Sequence, residues 1–144
     1  MIMIARKSYS SWVLFGASII IVWFLGFAFA VRVGTAQQAA PTENKGVTFN
    51  QLTSVDLGPE IPGMHLRLRT VTIEPGGFVA VHSHKDRPGS AYVLKGTVIN
   101  HSGEVAKEYG AGGYWAEGRD YTHWVENKGT SPAVIILVDV FKQP

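Results

Sequence analysis

Glycine and proline recur at short intervals from residue 47 to the C-terminus, and this punctuation limits what the chain can fold into. The segments between these residues are too short for a helical domain and are rich in β-branched and aromatic residues. Val47 to Leu52, His65 to Ile73, Phe78 to His82, Ala91 to Asn100, Gly113 to Ala116, Tyr121 to Glu126 and Ala133 to Phe141 read as strands. Turn signals at Gly58-Pro59, Pro62-Gly63, Glu74 to Gly77, Pro88-Gly89, Ser102-Gly103, Gly110 to Gly113, Gly118 and Asn127 to Pro132 separate them. Many short strands at regular spacing predict an all-β antiparallel sandwich or small barrel. On pattern alone, an immunoglobulin-like sandwich fits as well as a barrel.

The N-terminal part has a different composition. Residues 12–31 form a run of twenty uncharged residues, long enough as a helix to span about 30 Å of bilayer core. Arg6 and Lys7 precede it, so the positive-inside rule sends the rest of the chain out of the cytoplasm. Ala28-Phe29-Ala30 and Gly34-Thr35-Ala36 both offer the small-x-small pattern of a cleavage site. Residues 1–36 are therefore either a signal peptide or an N-terminal membrane anchor. Both predict an exported protein, soluble in the periplasm or outside the cell after cleavage and held at the membrane without it. Residues 37–46 (QQAAPTENKG from Gln37) read as a linker and residues 47–144 as the folded domain.

Charge excludes one class of partner. The net charge is +2, but Arg6, Lys7 and Arg32 sit in the first 36 residues, where there is no acid. The remaining chain has a slight acidic excess, so nucleic-acid binding has no electrostatic drive. Cysteine is absent, which removes disulfides, thiolate metal ligands and a cysteine nucleophile.

Five histidines remain to carry chemistry: His65, His82, His84, His101 and His123. His82 and His84 are two residues apart, and strand residues i and i+2 project to the same face about 7 Å apart. Two imidazoles so placed can share one cation, and a third from another strand would complete a site with open positions. His65 reads as an ordinary strand residue and His101 as a turn position before Ser102-Gly103.

The spacing around the pair is specific. Gly76, five residues, His82-x-His84, four residues, Gly89, six residues and Gly96 resembles the first motif of the cupin family. A second motif follows in order: five residues separate Gly112 from Gly118, with Asp120, His123 and Asn127 in the later slots. The resemblance runs from about Arg67 to Asp139. It implies an antiparallel double-sheet jelly roll, preceded here by the hydrophobic helix, with a divalent metal held by His82, His84 and His123. It also implies a homodimer through the outer strands. Imidazole ligands suit Fe, Zn, Ni, Cu or Mn and argue against Ca or Mg.

One slot departs from the pattern. Gly89 stands where the family has a glutamate ligand, so Gly89→Glu is expected to tighten metal binding if the slot is read correctly. Glu117 is a candidate to take over as carboxylate ligand, proton acceptor or orienter of His123. Arg87 is a candidate for holding a substrate carboxylate. Asp120 and Glu126 read as solvated charges. Trp115, Trp124, Tyr92 and Tyr114 read as core or pocket wall. Two function classes follow: a metal-dependent enzyme on a small molecule, dioxygenase-like or otherwise metal-assisted, and a non-catalytic small-ligand binding or sensing module of the cell envelope.

Overall fold

The computed structural model describes residues 38–143. The apolar run at 12–31, and with it the choice between signal peptide and anchor, lies outside them. Eight strands follow in order: β1 (Lys45–Asp56), β2 (Met64–Ser83), β3 (Gly89–Lys95), β4 (Thr97–Ser102), β5 (Val105–Gly110), β6 (Tyr114–Glu117), β7 (Thr122–Glu126) and β8 (Ala133–Lys142). They form one antiparallel sheet in the order β5-β4-β7-β2-β8-β3-β6, with β1 added on β2. The sheet curls until β3 touches β5, giving a nearly closed all-β barrel.

β2 makes this possible by changing partners along its length. Its first half pairs with β1 on one side and β8 on the other, and its second half pairs with β7. The change falls at Glu74 to Gly77, which the sequence predicts as a turn between two strands. Instead the chain bends there without leaving the sheet. Gly76 adopts φ +71°, and the corner is tied to the end of β7 by Gly76 N–H to Asn127 O (2.8 Å) and Asn127 N–H to Gly77 O (3.0 Å). The buried Asn127 side chain also donates to the carbonyls of Ile73 and Ser131. The asparagine of the second motif thus clamps a corner where a strand passes from one set of neighbours to another.

Two other departures have local causes. The strand predicted over Ala91 to Asn100 is divided at Gly96, whose φ of +76° disfavours any side chain. A Cβ there would lie 2.9 Å from Ala133 Cα, so the start of β8 packs directly on the break. β5, which the sequence does not reveal, is an exposed edge strand carrying Lys107 and Glu108. Charged residues on an edge deter pairing with other chains and also dilute the β signal.

The core is the inner face of the barrel. Val71, Ile73, Val93, Val98, Ile135 and Leu137 are all buried and pack around Trp115 and Val125. The residues before β1 also dock on the barrel: Val81 N–H donates to Pro41 O and Ala80 N–H to Asn44 Oδ1, both at 2.8 Å.

Candidate metal centre

His82 is the penultimate residue of β2, His84 comes directly after the strand, and His123 lies on β7 directly across from His82. The His84 backbone is held by its N–H to Tyr121 O (2.9 Å), which keeps the residue in line with β2 after the strand ends. The three rings stand 4.5–5.0 Å apart between centroids. One nitrogen from each lies within 4.8 Å of the others, a cluster able to hold a divalent metal ion.

Every ring is oriented by a carbonyl behind it. His82 Nδ1 lies 2.8 Å from Ala80 O, His84 Nδ1 3.2 Å from Arg87 O, and His123 Nδ1 2.8 Å from Asn100 Oδ1. A carbonyl accepts only, so each Nδ1 carries the proton and each Nε2 presents a lone pair. Asn100 is itself fixed, donating from Nδ2 to Tyr121 Oη at 3.1 Å. His84 Nε2 and His123 Nε2 then face each other at 3.0 Å with no proton between them. Two lone pairs at that distance repel unless a cation lies between them. Two nitrogens each about 2.1 Å from one metal and at right angles would be about 3 Å apart, so the donor set fits the ion.

Residues 69–140 match the Cupin domain family, half of the chain. The chain belongs to the cupin family. No functionally curated protein matches it. Among solved structures it is similar to a predicted oxalate decarboxylase of Thermotoga maritima, at 17% identity and TM-score 0.56 over 72% of this chain and 94% of that one. It is also similar to a polyketide cyclase of Streptomyces resistomycificus, at 20% identity and TM-score 0.58 over 72% and 71%. A third similar structure is the cupin domain of an XRE family transcriptional regulator from Enterobacter cloacae, at 11% identity and TM-score 0.53 over 69% and 99%. At these identities the likeness is one of fold.

Within this cupin the glycine in the glutamate slot has a structural explanation. Gly89 pairs with Glu117 across β3 and β6, so a carboxylate stands directly opposite the slot on the neighbouring strand. Glu117 is buried. Its Oε1 accepts from Trp115 Nε1 (3.0 Å) and lies 3.5 Å from His123 Nε2, and its Oε2 lies 3.3 Å from His84 Nδ1. Burial pushes its carboxyl up to about 7, although the Trp115 hydrogen bond and the charges of Arg69 and Arg87 pull the other way. Arg87 lines a cavity that it shares with His82, His123 and Glu117. Glu117 and Arg87 therefore both lie beside the triad.

The same contacts overturn the expected effect of Gly89→Glu. A Cβ at Gly89 would overlap the Val138 carbonyl oxygen and sit 2.9 Å from Asp139 Cβ. We expect Gly89→Glu to lose about 1–3 kcal/mol of stability and to bind metal no more tightly, as read by urea denaturation and elemental analysis. A stable variant with higher metal affinity would refute this account.

Two other sequence readings change. His101 is not a turn residue but lies on β4, stacked on Trp124 with centroids 3.7 Å apart and its Nε2 2.7 Å from Glu126 Oε1. Glu126 is buried rather than solvated, and it also pairs with Lys128. Asn100, Arg69 and Asp139 belong to the site or its support, and the sequence reading did not select them. His65 stays outside, against Phe141.

The triad makes the metal-free protein sensitive to acid. Burial pushes His123 down to about 2 and His84 to about 4, with repulsion between the rings adding to both, and it also lowers His82. The unfolded rings take up protons near 6.5, whereas the folded rings stay neutral. Stability therefore falls as pH drops below about 6.5, through about 4 for His84 and lower for His123. Each uncompensated proton contributes about 1.4 kcal/mol per pH unit. Glu117 acts in the opposite sense between about 7 and 4.5, but one carboxyl offsets only one of the three rings. Chelator-treated protein should melt at progressively lower temperature from pH 7 to pH 4.5. A flat or rising profile would contradict a neutral buried triad.

Proposed function

We propose that this cupin is an exported, metal-dependent enzyme acting on a small molecule within its barrel. The observation that carries this reading is the convergence of three Nε2 lone pairs, each aimed by a carbonyl acceptor at Nδ1. In this reading His82, His84 and His123 hold one divalent transition metal, and Glu117 provides the carboxylate in place of Gly89. Three imidazoles and one carboxylate leave coordination positions for a substrate, to which the ion would supply Lewis-acid or redox chemistry. A cavity of about 230 Å³ adjoins the triad. It is smaller than the ~300–1,000 Å³ of drug-sized ligand sites, so the ligand is compact.

Glu117 favours an enzyme over a passive binder. It is a buried carboxyl touching two of the rings, which places it to ligate the ion or to pass a proton to a substrate beside it. The alternative is a non-catalytic sensing module of the cell envelope, and the likeness to the cupin domain of a transcriptional regulator keeps it open. Export rests on the apolar run at 12–31.

Elemental analysis of the purified protein, before and after loading with Fe, Zn, Ni, Cu or Mn, tests the metal centre. About one ion per chain is expected, and no stoichiometric uptake of any of the five would overturn it. Oxygen uptake or product formation by the loaded protein with small-molecule panels then separates enzyme from binder.

A further inference from the structure

The cavity beside the triad is lined by residues of opposite character. Phe49, Val71, Val79, Ile135 and Leu137 make it apolar, yet Arg69 and Arg87 both line it. Arg69 is an interior residue, with its side chain 11% exposed. Only its Nη2 has a bond, to Asp139 Oδ2 at 3.0 Å. Asp139 is already occupied on both oxygens by Arg67, from Nε (2.9 Å) and Nη2 (2.7 Å). One buried carboxylate thus serves two guanidinium groups, and the pair retains an excess positive charge. Arg69 Nε is the one buried side-chain donor without a partner among the described residues. Arg87, half-buried on the loop after His84, makes no side-chain hydrogen bond or ion pair among the described residues, although its charge acts on Glu117 in the same cavity. A buried donor without a partner is rare and destabilising, and an aliphatic pocket gains nothing from two cations.

We propose that the cavity binds a small aliphatic or aromatic carboxylate, with its anionic end on Arg69 and Arg87 and its apolar end on Val71, Ile135 and Leu137. The site is the one assigned above to metal-dependent chemistry, so the proposal rests on that reading for its catalytic meaning but not for anion binding itself. A guanidinium fork matches the two oxygens of a planar carboxylate. Asp139 acts as a positioning residue, fixing Arg69 by one nitrogen. His82, His123 and Glu117 line the same cavity, so a carboxylate bound there would lie beside the triad. A neutral compound of the same shape would leave both guanidinium groups without an acceptor, and that penalty makes the pocket selective for charge.

Calorimetry with butyrate and benzoate, against butyramide and benzamide as neutral isosteres, tests the proposal on protein of measured metal content. The acids should bind about tenfold or more tightly than the amides. Arg87→Gln should reduce acid affinity by a similar factor without changing metal content, and Arg87→Lys should recover part of it. Arg69→Gln should do the same, but Arg87 is the safer variant because it lies on a loop. Equal binding of acid and amide, or undiminished acid affinity in Arg87→Gln, overturns the proposal. So does the absence of acid binding to fully metal-loaded protein, an outcome that leaves the metal centre intact. Charge-selective binding that survives chelation, in a protein that takes up no metal, would support the anion site while refuting the metal reading.

Discussion

His82→Ala is expected to reduce bound metal from about one ion per chain to a trace, while the barrel stays folded. His82 is the least buried of the three rings, and its Nδ1 bonds only to the carbonyl of Ala80 on its own strand. Its loss therefore deprives no other side chain of a partner. Removing a support behind a ligand typically weakens metal binding 10–100-fold, so removing a ligand should exceed about 100-fold. Asn100→Ala provides the intermediate case. It takes the acceptor from His123 Nδ1 without touching any Nε2, and a loss of about 10–100-fold is expected. In metal-free form His82→Ala should melt no lower than the parent, because it removes one of three neutral rings crowded in the interior. Competition titration against a chelator of known affinity, with circular dichroism for the fold, resolves the series. Metal affinity in His82→Ala equal to the parent would refute the ligand set.

That series depends on residues with unequal visibility in the sequence. The histidines are legible because a strand's period of two puts His82 and His84 on one face, and motif spacing adds His123. Asn100 is not, since its role appears only when β4 is laid beside β7 and Asn100 meets Val125, two residues along the strand from His123. Cross-strand register is a long-range property, and a single strand does not display it. The segment from His65 to Ile73 shows the same limit from the other side. Its alternation invites Leu66 and Leu68 to point inward and the arginines outward. The buried face is instead that of Arg67, Arg69, Val71 and Ile73, and Leu66 is exposed. The signal was present, because stepping back by twos from Val71 and Ile73 lands on both arginines. Charge stays outside only where no buried partner waits, and that partner is not visible in the segment itself. The corner at Gly76 was legible as a break but not as a continuous strand, since β2 keeps its hydrogen bonding by exchanging β8 for β7. β5 went unread because an edge strand needs no apolar face.

The buried partner is Asp139, and its removal should give the largest loss of stability at any position away from the triad. Asp139 is 1% exposed and lies opposite Arg67 in the β2–β8 register. It accepts three hydrogen bonds from two arginines. Asp139→Ala leaves two largely buried guanidinium groups side by side, each repelling the other. Breaking a buried ion pair by removing one member costs about 3–5 kcal/mol, a large share of the roughly 5–15 kcal/mol that stabilises a typical domain. The loss should appear as a lower denaturation midpoint with little change in slope. Replacing the arginines as well, in Arg67→Met/Arg69→Met/Asp139→Ala, should recover most of it, because an apolar cluster of similar volume carries no unpaired charge. That recovery would come with loss of carboxylate binding, since Arg69 is gone. If Asp139→Ala instead unfolds within about 1 kcal/mol of the parent, the two arginines reach solvent on their own and the buried cluster does not fasten β2 to β8.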